Sequence, residues 1–179
     1  SAIKAWRSVG VKAEYYAVGW ADGEPFEPKM RRLKELVDKR FAEHGPVVLM
    51  GASAGASAVL NVAAAMPKKI RAIVSICGFV RNANLQDQVF ADNPAFGDSM
   101  RLLPASLLFL EQRAIPILSV NSVHDKRVPR VNTQIPGAQS ITMPMVGHVQ
   151  TIAYSITLGK HRIARFIHRT AQSSVTLSV

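Results

Sequence analysis

The chain has 179 residues, the usual length of one compact domain, and no Gly/Ser-rich linker divides it. Apolar residues make up 48% and charged residues 19%, which excludes a disordered chain, and the one cysteine excludes an internal disulfide framework or a multi-cysteine zinc site. Lys and Arg outnumber Asp and Glu by 22 to 12, so the net charge is +10. No uninterrupted apolar run is long enough to predict a membrane span.

Short apolar runs alternate with helical patterns along the chain. The predicted strands are Ala13–Val18, Val47–Met50, Ala72–Ile76, Ile115–Asn121 and Ser140–Val146. Their apolar residues hardly alternate with polar ones, which is typical of parallel strands covered on both faces. Apolar spacings of three and four predict helices over Pro28–Glu43, Ala54–Met66, Met100–Gln112 and Thr151–Arg169. The pattern predicts an α/β fold, with a mostly parallel sheet inside a three-layer αβα sandwich.

The second predicted strand runs directly into Gly51-Ala52-Ser53-Ala54-Gly55, a G-x-S-x-G pattern that opens the next helix. Between a strand and a helix, the serine of this pattern lies on a sharp turn that exposes its hydroxyl above the sheet edge. We expect the turn to crowd both Gly51 and Gly55, so that neither position accepts a side chain. The helix N-terminus offers backbone N–H groups to a developing oxyanion. Ser53 is therefore the predicted nucleophile.

A serine nucleophile needs a base, and the base needs an acid that orients it. Asp125 follows the fourth predicted strand, and His148 follows the fifth. The carboxyl ends of parallel strands meet at one edge of a sheet, so we expect Ser53, Asp125 and His148 to lie together there, each side chain in a loop.

Some neighbouring residues offer alternatives. His124 adjoins Asp125 and is a second candidate base, although adjacent loop residues generally point in different directions. The alternative acids follow the third predicted strand and are Asp87, Asp92 and Asp98. Cys77 ends that apolar strand and is expected to be a small buried residue.

These motifs resemble the α/β-hydrolase superfamily over about residues 13–169. The resemblance rests on the order Ser53, Asp125, His148, on the elbow Gly51–Gly55, and on the His-Asp-Lys-Arg-Val-Pro and Gly-His loops. It implies one α/β-hydrolase-like domain over residues 1–179, of reduced size and without a large lid. It also implies that Asp125 is the triad acid, His148 the base and Ala54 an oxyanion donor. The implied activity is that of a serine esterase, which acts on a small acyl substrate and needs no cofactor or metal.

The chain departs from the family pattern in one respect. The family's second oxyanion donor comes from a His-Gly loop upstream of a run such as Ala13–Val18, and no His-Gly pair precedes that run here. The expectation is either an amino-terminally truncated hydrolase or one in which the donor is replaced, with five strands instead of eight. A catalytically weak binding or scaffold protein of the same fold, or a basic anion-binding module, remains as an alternative.

The positive charge is spread along the sequence. Its densest group lies on the last predicted helix and comprises Lys160, His161, Arg162, Arg165, His168 and Arg169. Aromatic residues do not interleave with this group as a stacking platform for bases would require, so a solvated basic face is expected and a specific nucleic-acid partner is not. No apolar leader is recognised at the amino terminus, which predicts a cytoplasmic location.

Overall fold

The structure, a computed structural model, describes residues 2–81 and 87–172. Its centre is a sheet with the strand order β1-β2-β3-β4, in which every neighbouring pair is parallel. The strands are Val47–Ala52 (β1), Ile70–Ile76 (β2), Ile117–His124 (β3) and Gln139–Val146 (β4). Because all four strands run in the same direction, their carboxyl ends lie at one edge of the sheet.

Helices connect and cover the strands. The α-helices are Ala2–Ala5 (α1), Phe26–His44 (α2), Gly55–Ala65 (α3), Asp87–Asp92 (α4), Pro94–Gln112 (α5), His148–Ile156 (α6) and Lys160–Gln172 (α7). Short 3₁₀ turns occupy Trp6–Val9, Pro67–Lys69 and Arg130–Thr133.

The helices form two layers, one on each face of the sheet. Helices α2, α3 and α5 cover one face, where Leu33, Leu60 and Leu103 pack with Ile73 of β2. Helix α7 and the 3₁₀ turn Trp6–Val9 cover the other face. There, Trp6, Ile163 and Phe166 pack with Val74 of β2 and Leu118 of β3. The predicted three-layer αβα sandwich is therefore confirmed, with an entirely parallel sheet.

The predicted first strand, Ala13–Val18, is wrong: residues 11–19 adopt no regular secondary structure. The segment keeps the alternation of a strand, because Val11 and Ala13 contact the core on the α7 side while Tyr16 and Val18 contact the core on the α2 side. A strand also needs a neighbour for its backbone hydrogen bonds, and none pairs with this segment in the described part of the chain.

The predicted closing helix is divided into α6 and α7. Helix α6 ends at Ile156, where the Thr157 and Gly159 amides both donate to the carbonyl oxygen of Tyr154. The Tyr154 ring lies so close to Gly159 that a Cβ there would be 2.9 Å from a ring carbon. Because glycine leaves room for this ring, the chain can turn here, and α7 begins at the next residue.

Between β2 and β3, helix α5 begins at Pro94, six residues before the predicted start at Met100, and the shorter helix α4 precedes it. Residues 82–86 of that stretch lie outside the described residues. None of the helices in the described ranges combines the length and apolar character needed to cross a membrane.

Candidate active site

Ser53 lies on a tight turn between β1 and α3. Its φ angle is +52°, in the left-handed region that residues other than glycine rarely adopt. The turn is held by the backbone on both sides, since the Ser53 amide donates to the carbonyl of Ile76 and its own carbonyl accepts from Ala56. The strained conformation directs the hydroxyl away from the sheet at the start of a helix, as the G-x-S-x-G pattern predicts.

The two glycines of the turn have different environments. A Cβ on Gly51 would lie 2.4 Å from the carbonyl oxygen of Gly55 and 2.8 Å from the Cα of Ala56, so α3 can cross β1 only because position 51 is glycine. A Cβ on Gly55 would meet no atom within 4 Å. The expectation that the turn crowds both positions is correct for Gly51 and wrong for Gly55.

The amide of Ala54 is at the N-terminus of α3. Ala54 is the residue before the first helical position, and its N–H has no hydrogen-bond acceptor among the residues that the structure describes. Unpaired amides at a helix N-terminus carry a partial positive charge and bind anions. This N–H is therefore free to stabilise negative charge that develops next to Ser53.

Three side chains meet at the carboxyl edge of the sheet: one just after β1, one just after β3 and one at the start of α6. The Nε2 atom of His148 lies 2.9 Å from Ser53 Oγ, and its Nδ1 atom lies 2.7 Å from Asp125 Oδ2. Both distances are those of hydrogen bonds. The side chains of His148 and Asp125 are only 7% and 3% exposed, so water hardly competes for these bonds.

His148 belongs to a helix, whereas a loop position was expected. It is the first residue of α6, directly after Gly147, which has a φ of +100°. A Cβ at position 147 would lie 2.4 Å from the side-chain oxygen of Gln150, and the Gly147 amide donates to the carbonyl of His124. These contacts fix the point where α6 begins and, with it, the direction of the imidazole.

The carboxylate of Asp125 is held by its own loop. Its Oδ1 atom accepts hydrogen bonds of 2.9 Å from the backbone N–H groups of Arg127 and Val128. Val128 is completely buried, which ties this loop to the core on the α2 side. With Oδ1 fixed by the backbone, Oδ2 remains for the imidazole.

Cys77, which the sequence analysis treated only as a buried residue, lies against this group. It directly follows β2, with a φ of +47°, and is fully buried. Potential ligand atoms of Cys77, Asp125 and His148 all lie within 4.8 Å of one another. Burial, and then the negative charge of Asp125, raise the pKa of the thiol to about 12. The neutral thiol that results is a hydrogen-bond donor and opposes the thiolate that a metal ion requires.

The residues considered as an alternative base or acid do not take the place of His148 or Asp125. The His124 side chain is exposed, and its ring makes no hydrogen bond to the described residues, so it does not compete with His148. The carboxylate of Asp98 accepts from the Phe26 amide and from Arg101. His148 Nδ1 bonds to Asp125 and not to Asp92, and the side chain of Asp87 lies outside the described residues.

An aromatic cluster lies beside the nucleophile turn. The amide of Phe79 approaches the Ser53 carbonyl at 3.4 Å, and the Phe79 ring packs edge-on against Phe96. Phe96 also contacts Phe90 and Trp20. The rings of Phe79 and Phe96 are buried, so this cluster is part of the core next to the turn.

No protein-family model matches the sequence, and no curated protein sequence matches it significantly. Several solved structures are similar to the chain in fold. One is BpoC from Mycobacterium tuberculosis H37Rv, provisionally assigned as a non-heme bromoperoxidase, with 13% identity, a TM-score of 0.61, and 87% of this chain and 78% of that one covered. The monoacylglycerol lipase of Paleococcus ferrophilus has 13% identity and a TM-score of 0.56, over 79% of this chain and 76% of the lipase.

A third similar structure is MGS-MChE2, an α/β-hydrolase enzyme from the metagenome of lagoon sediments of Mar Chica, Morocco. It shares 16% identity with this chain at a TM-score of 0.56, and the match covers 85% of this chain and 72% of the enzyme. Together with the parallel sheet and its two helical layers, these similarities establish the architecture. The chain has the α/β-hydrolase fold, in a reduced form with four strands in the described residues.

Proposed function

We propose that this protein is a serine hydrolase that cleaves a carboxylic ester or a related acyl compound through an acyl-enzyme. The observation that carries the proposal is the pair of hydrogen bonds that joins Ser53 Oγ, His148 and Asp125 in one line. Packing alone does not account for a strained serine, a buried histidine and a buried carboxylate in this order. The similarity in fold to a lipase and to another α/β-hydrolase enzyme supports the same class of reaction.

In the proposed reaction, His148 Nε2 takes the proton of Ser53 Oγ as the oxygen attacks the carbonyl carbon of the substrate. The bond between the carbonyl carbon and the leaving group then breaks, and the imidazolium returns the proton to the leaving group. Water, deprotonated by the same nitrogen, attacks the acyl-enzyme. The bond between the carbonyl carbon and Ser53 Oγ then breaks, the imidazolium returns its proton to Ser53 Oγ, and the acid is released. Asp125 holds the proton on Nδ1, so that Nε2 faces Ser53 as an acceptor, and it stabilises the imidazolium.

The tetrahedral intermediate places a negative charge on the former carbonyl oxygen. We assign its stabilisation to the Ala54 N–H, whose position at the first turn of α3 adds the partial charge of the helix terminus.

The nucleophile can be tested by labelling with a fluorophosphonate probe followed by peptide mapping. We expect one adduct, at Ser53, among the fourteen serines of the chain, because Ser53 alone among the serines that the structure describes has a base within hydrogen-bond reach. Ser53→Ala should abolish labelling, while Ser122→Ala, at a serine whose hydroxyl donates to the Met145 carbonyl, should leave it unchanged. An adduct at another serine, or none in folded protein, would contradict the assignment.

The reaction class can be tested with a series of p-nitrophenyl and alkyl esters of increasing acyl length. Hydrolysis that depends on Ser53, and that prefers activated aryl esters, is expected if Ala54 is the main oxyanion donor, since each further donor is worth about 10²- to 10³-fold in rate. Ligand binding without turnover in folded wild-type protein would instead indicate a binding protein with the same fold.

A further inference from the structure

The net charge of this protein is confined to the two ends of its sequence. Residues 1–13 contain three basic and no acidic residues, and residues 126–179 contain seven basic and no acidic residues. The segment between them, residues 14–125, holds twelve of each sign and is neutral. The whole charge of +10 therefore comes from two segments that are more than a hundred residues apart.

The fold brings these segments together on one face of the sheet. The Nε2 atom of His168 in α7 lies 2.8 Å from the carbonyl oxygen of Val9, which joins α7 to the 3₁₀ turn that follows α1. Beneath this contact, Trp6 packs with Ile163 and Phe166 on the sheet. The adjoining segments carry six basic side chains, here called the basic layer: Lys4, Arg7, Lys160, Arg162, Arg165 and Arg169.

Most of the basic layer faces solvent. Five of its six side chains are exposed, and Lys160 is half-buried. Arg162, Arg165 and Arg169 recur at spacings of three and four on α7 and so form one stripe. Neither Arg7 nor Arg165 has a carboxylate partner among the described residues.

The opposite helical layer is arranged differently. It contains acidic as well as basic side chains, and some of them pair, as in Arg40 with Glu14 and Glu43, and Lys69 with Asp38. The segments that carry the basic layer, by contrast, contain no acidic residue. A surface of one sign over two adjacent helical elements produces a field that attracts polyanions.

We propose that the basic layer is a docking surface for anionic phospholipid membranes. Leu158, at the junction of α6 and α7, is 76% exposed, which places an apolar side chain two residues before Lys160, where it can enter a lipid interface. The aromatic side chains of these helices do not face outward, since Trp6 and Phe166 are 3% and 2% exposed, so the surface lacks a platform on which bases stack. A membrane thus fits the surface better than a single-stranded nucleic acid. The proposal goes beyond the hydrolase function and does not depend on it.

The test is co-sedimentation of the folded protein with extruded vesicles. Vesicles in which about one third of the lipid is phosphatidylglycerol are compared with pure phosphatidylcholine at increasing salt, since juxtamembrane basic residues contribute about 1 kcal/mol each near an anionic surface. We expect binding only to the anionic vesicles, and its loss at high salt. The double variant Arg7→Glu/Arg165→Glu should weaken it by at least about 30-fold, the equivalent of two such residues.

A matched control changes the same net charge elsewhere. Lys39→Glu/Lys68→Glu reverses two exposed lysines outside the basic layer, one on α2 and one before β2, and should retain most of the binding. Circular dichroism and thermal unfolding establish that both double variants are folded. Equal weakening by both pairs would show a response to net charge alone and would overturn the proposal. It would also be overturned by equal binding to the two kinds of vesicle, or by duplex DNA that displaces the protein from anionic vesicles.

Discussion

Asp125 divides its carboxylate between the backbone and His148. One oxygen accepts from the amides of Arg127 and Val128, and the other lies 2.7 Å from His148 Nδ1. The carboxylate plane is therefore fixed before the imidazole binds to it. This preorganisation determines which tautomer His148 adopts and where its second nitrogen faces.

Replacing Asp125 by Asn should leave the loop intact and disable the proposed reaction. The amide oxygen can still accept from Arg127 and Val128, but the NH₂ group then faces Nδ1 and forces the proton onto Nε2. His148 would no longer accept a proton from Ser53, and we expect kcat for p-nitrophenyl acetate to fall by about 10⁴-fold, as the same change does in other triads.

His124→Ala is the matched control for that variant, because His124 is exposed and its ring is not bonded to the described residues. It should retain wild-type kcat within a few-fold. A large loss in this variant, together with near-normal turnover by Asp125→Asn, would reverse the proposed roles. Chemical denaturation of both proteins separates a loss of activity from a loss of folding.

The two elbow glycines should differ in their tolerance of alanine. In Gly51→Ala the new Cβ meets the backbone of Gly55 at 2.4 Å, and because backbone cannot rotate away, we expect a loss of at least about 2 kcal/mol in unfolding free energy. In Gly55→Ala the methyl group enters open space at the first turn of α3, with a gain of up to about 0.5–1 kcal/mol from helix propensity. Urea denaturation measures both changes, and equal destabilisation by the two variants would show that the elbow is packed differently.

Cys77 should resist alkylation as long as the protein is folded. The thiolate is the reactive form, and burial beside Asp125 raises the pKa of this thiol to about 12, so almost none is ionised at pH 8. We expect no reaction with iodoacetamide in native buffer and complete reaction in urea, followed by mass spectrometry. Rapid modification of the native protein would show that the thiol is exposed or that Asp125 lies elsewhere.

The same thiol should make stability depend on alkaline pH. In the unfolded chain it ionises near its ordinary pKa of 9.0, whereas the folded protein holds the proton until about pH 12. Above pH 9 the unfolded state therefore binds fewer protons, and the free energy of unfolding falls as pH rises, by up to 1.36 kcal/mol per pH unit from this group. Relative to Cys77→Ala, the wild type should lose up to about 2 kcal/mol more between about pH 8 and pH 10.5. Parallel stability curves for the two proteins would contradict this.

Local sequence rules predicted much of the candidate site. Strand β1 and helix α3 are recognisable from their apolar patterns, and the glycines and serine between them define the turn. Because parallel strands end at one edge, the positions of Asp125 and His148 after two further strands were enough to bring them to Ser53. The same rule extends to Cys77, which directly follows the strand between those that lead to Ser53 and Asp125.

Predictions failed where an element depends on a neighbour. Ala13–Val18 has the composition of a strand, but strand structure requires a hydrogen-bonded partner, and the segment alone does not specify one. The division of the closing helix depends on Tyr154 packing against Gly159, and the difference between Gly51 and Gly55 depends on where α3 crosses β1. Each of these outcomes is set by the approach of two segments in space.

The sequence by itself determined the alternation of strands and helices, the nucleophile turn and the strand ends that carry its partners, because these follow from local periodicity and from the parallel topology. Only the tertiary structure decided which oxygen of Asp125 meets His148, that Cys77 lies close to the same carboxylate, and that Val9 and His168 meet. Basic residues that are scattered in the sequence become one surface through that last contact. Hydrogen bonds and electrostatic fields depend on distances in space, and contacts between residues far apart in the chain are fixed only when the helices pack on the sheet.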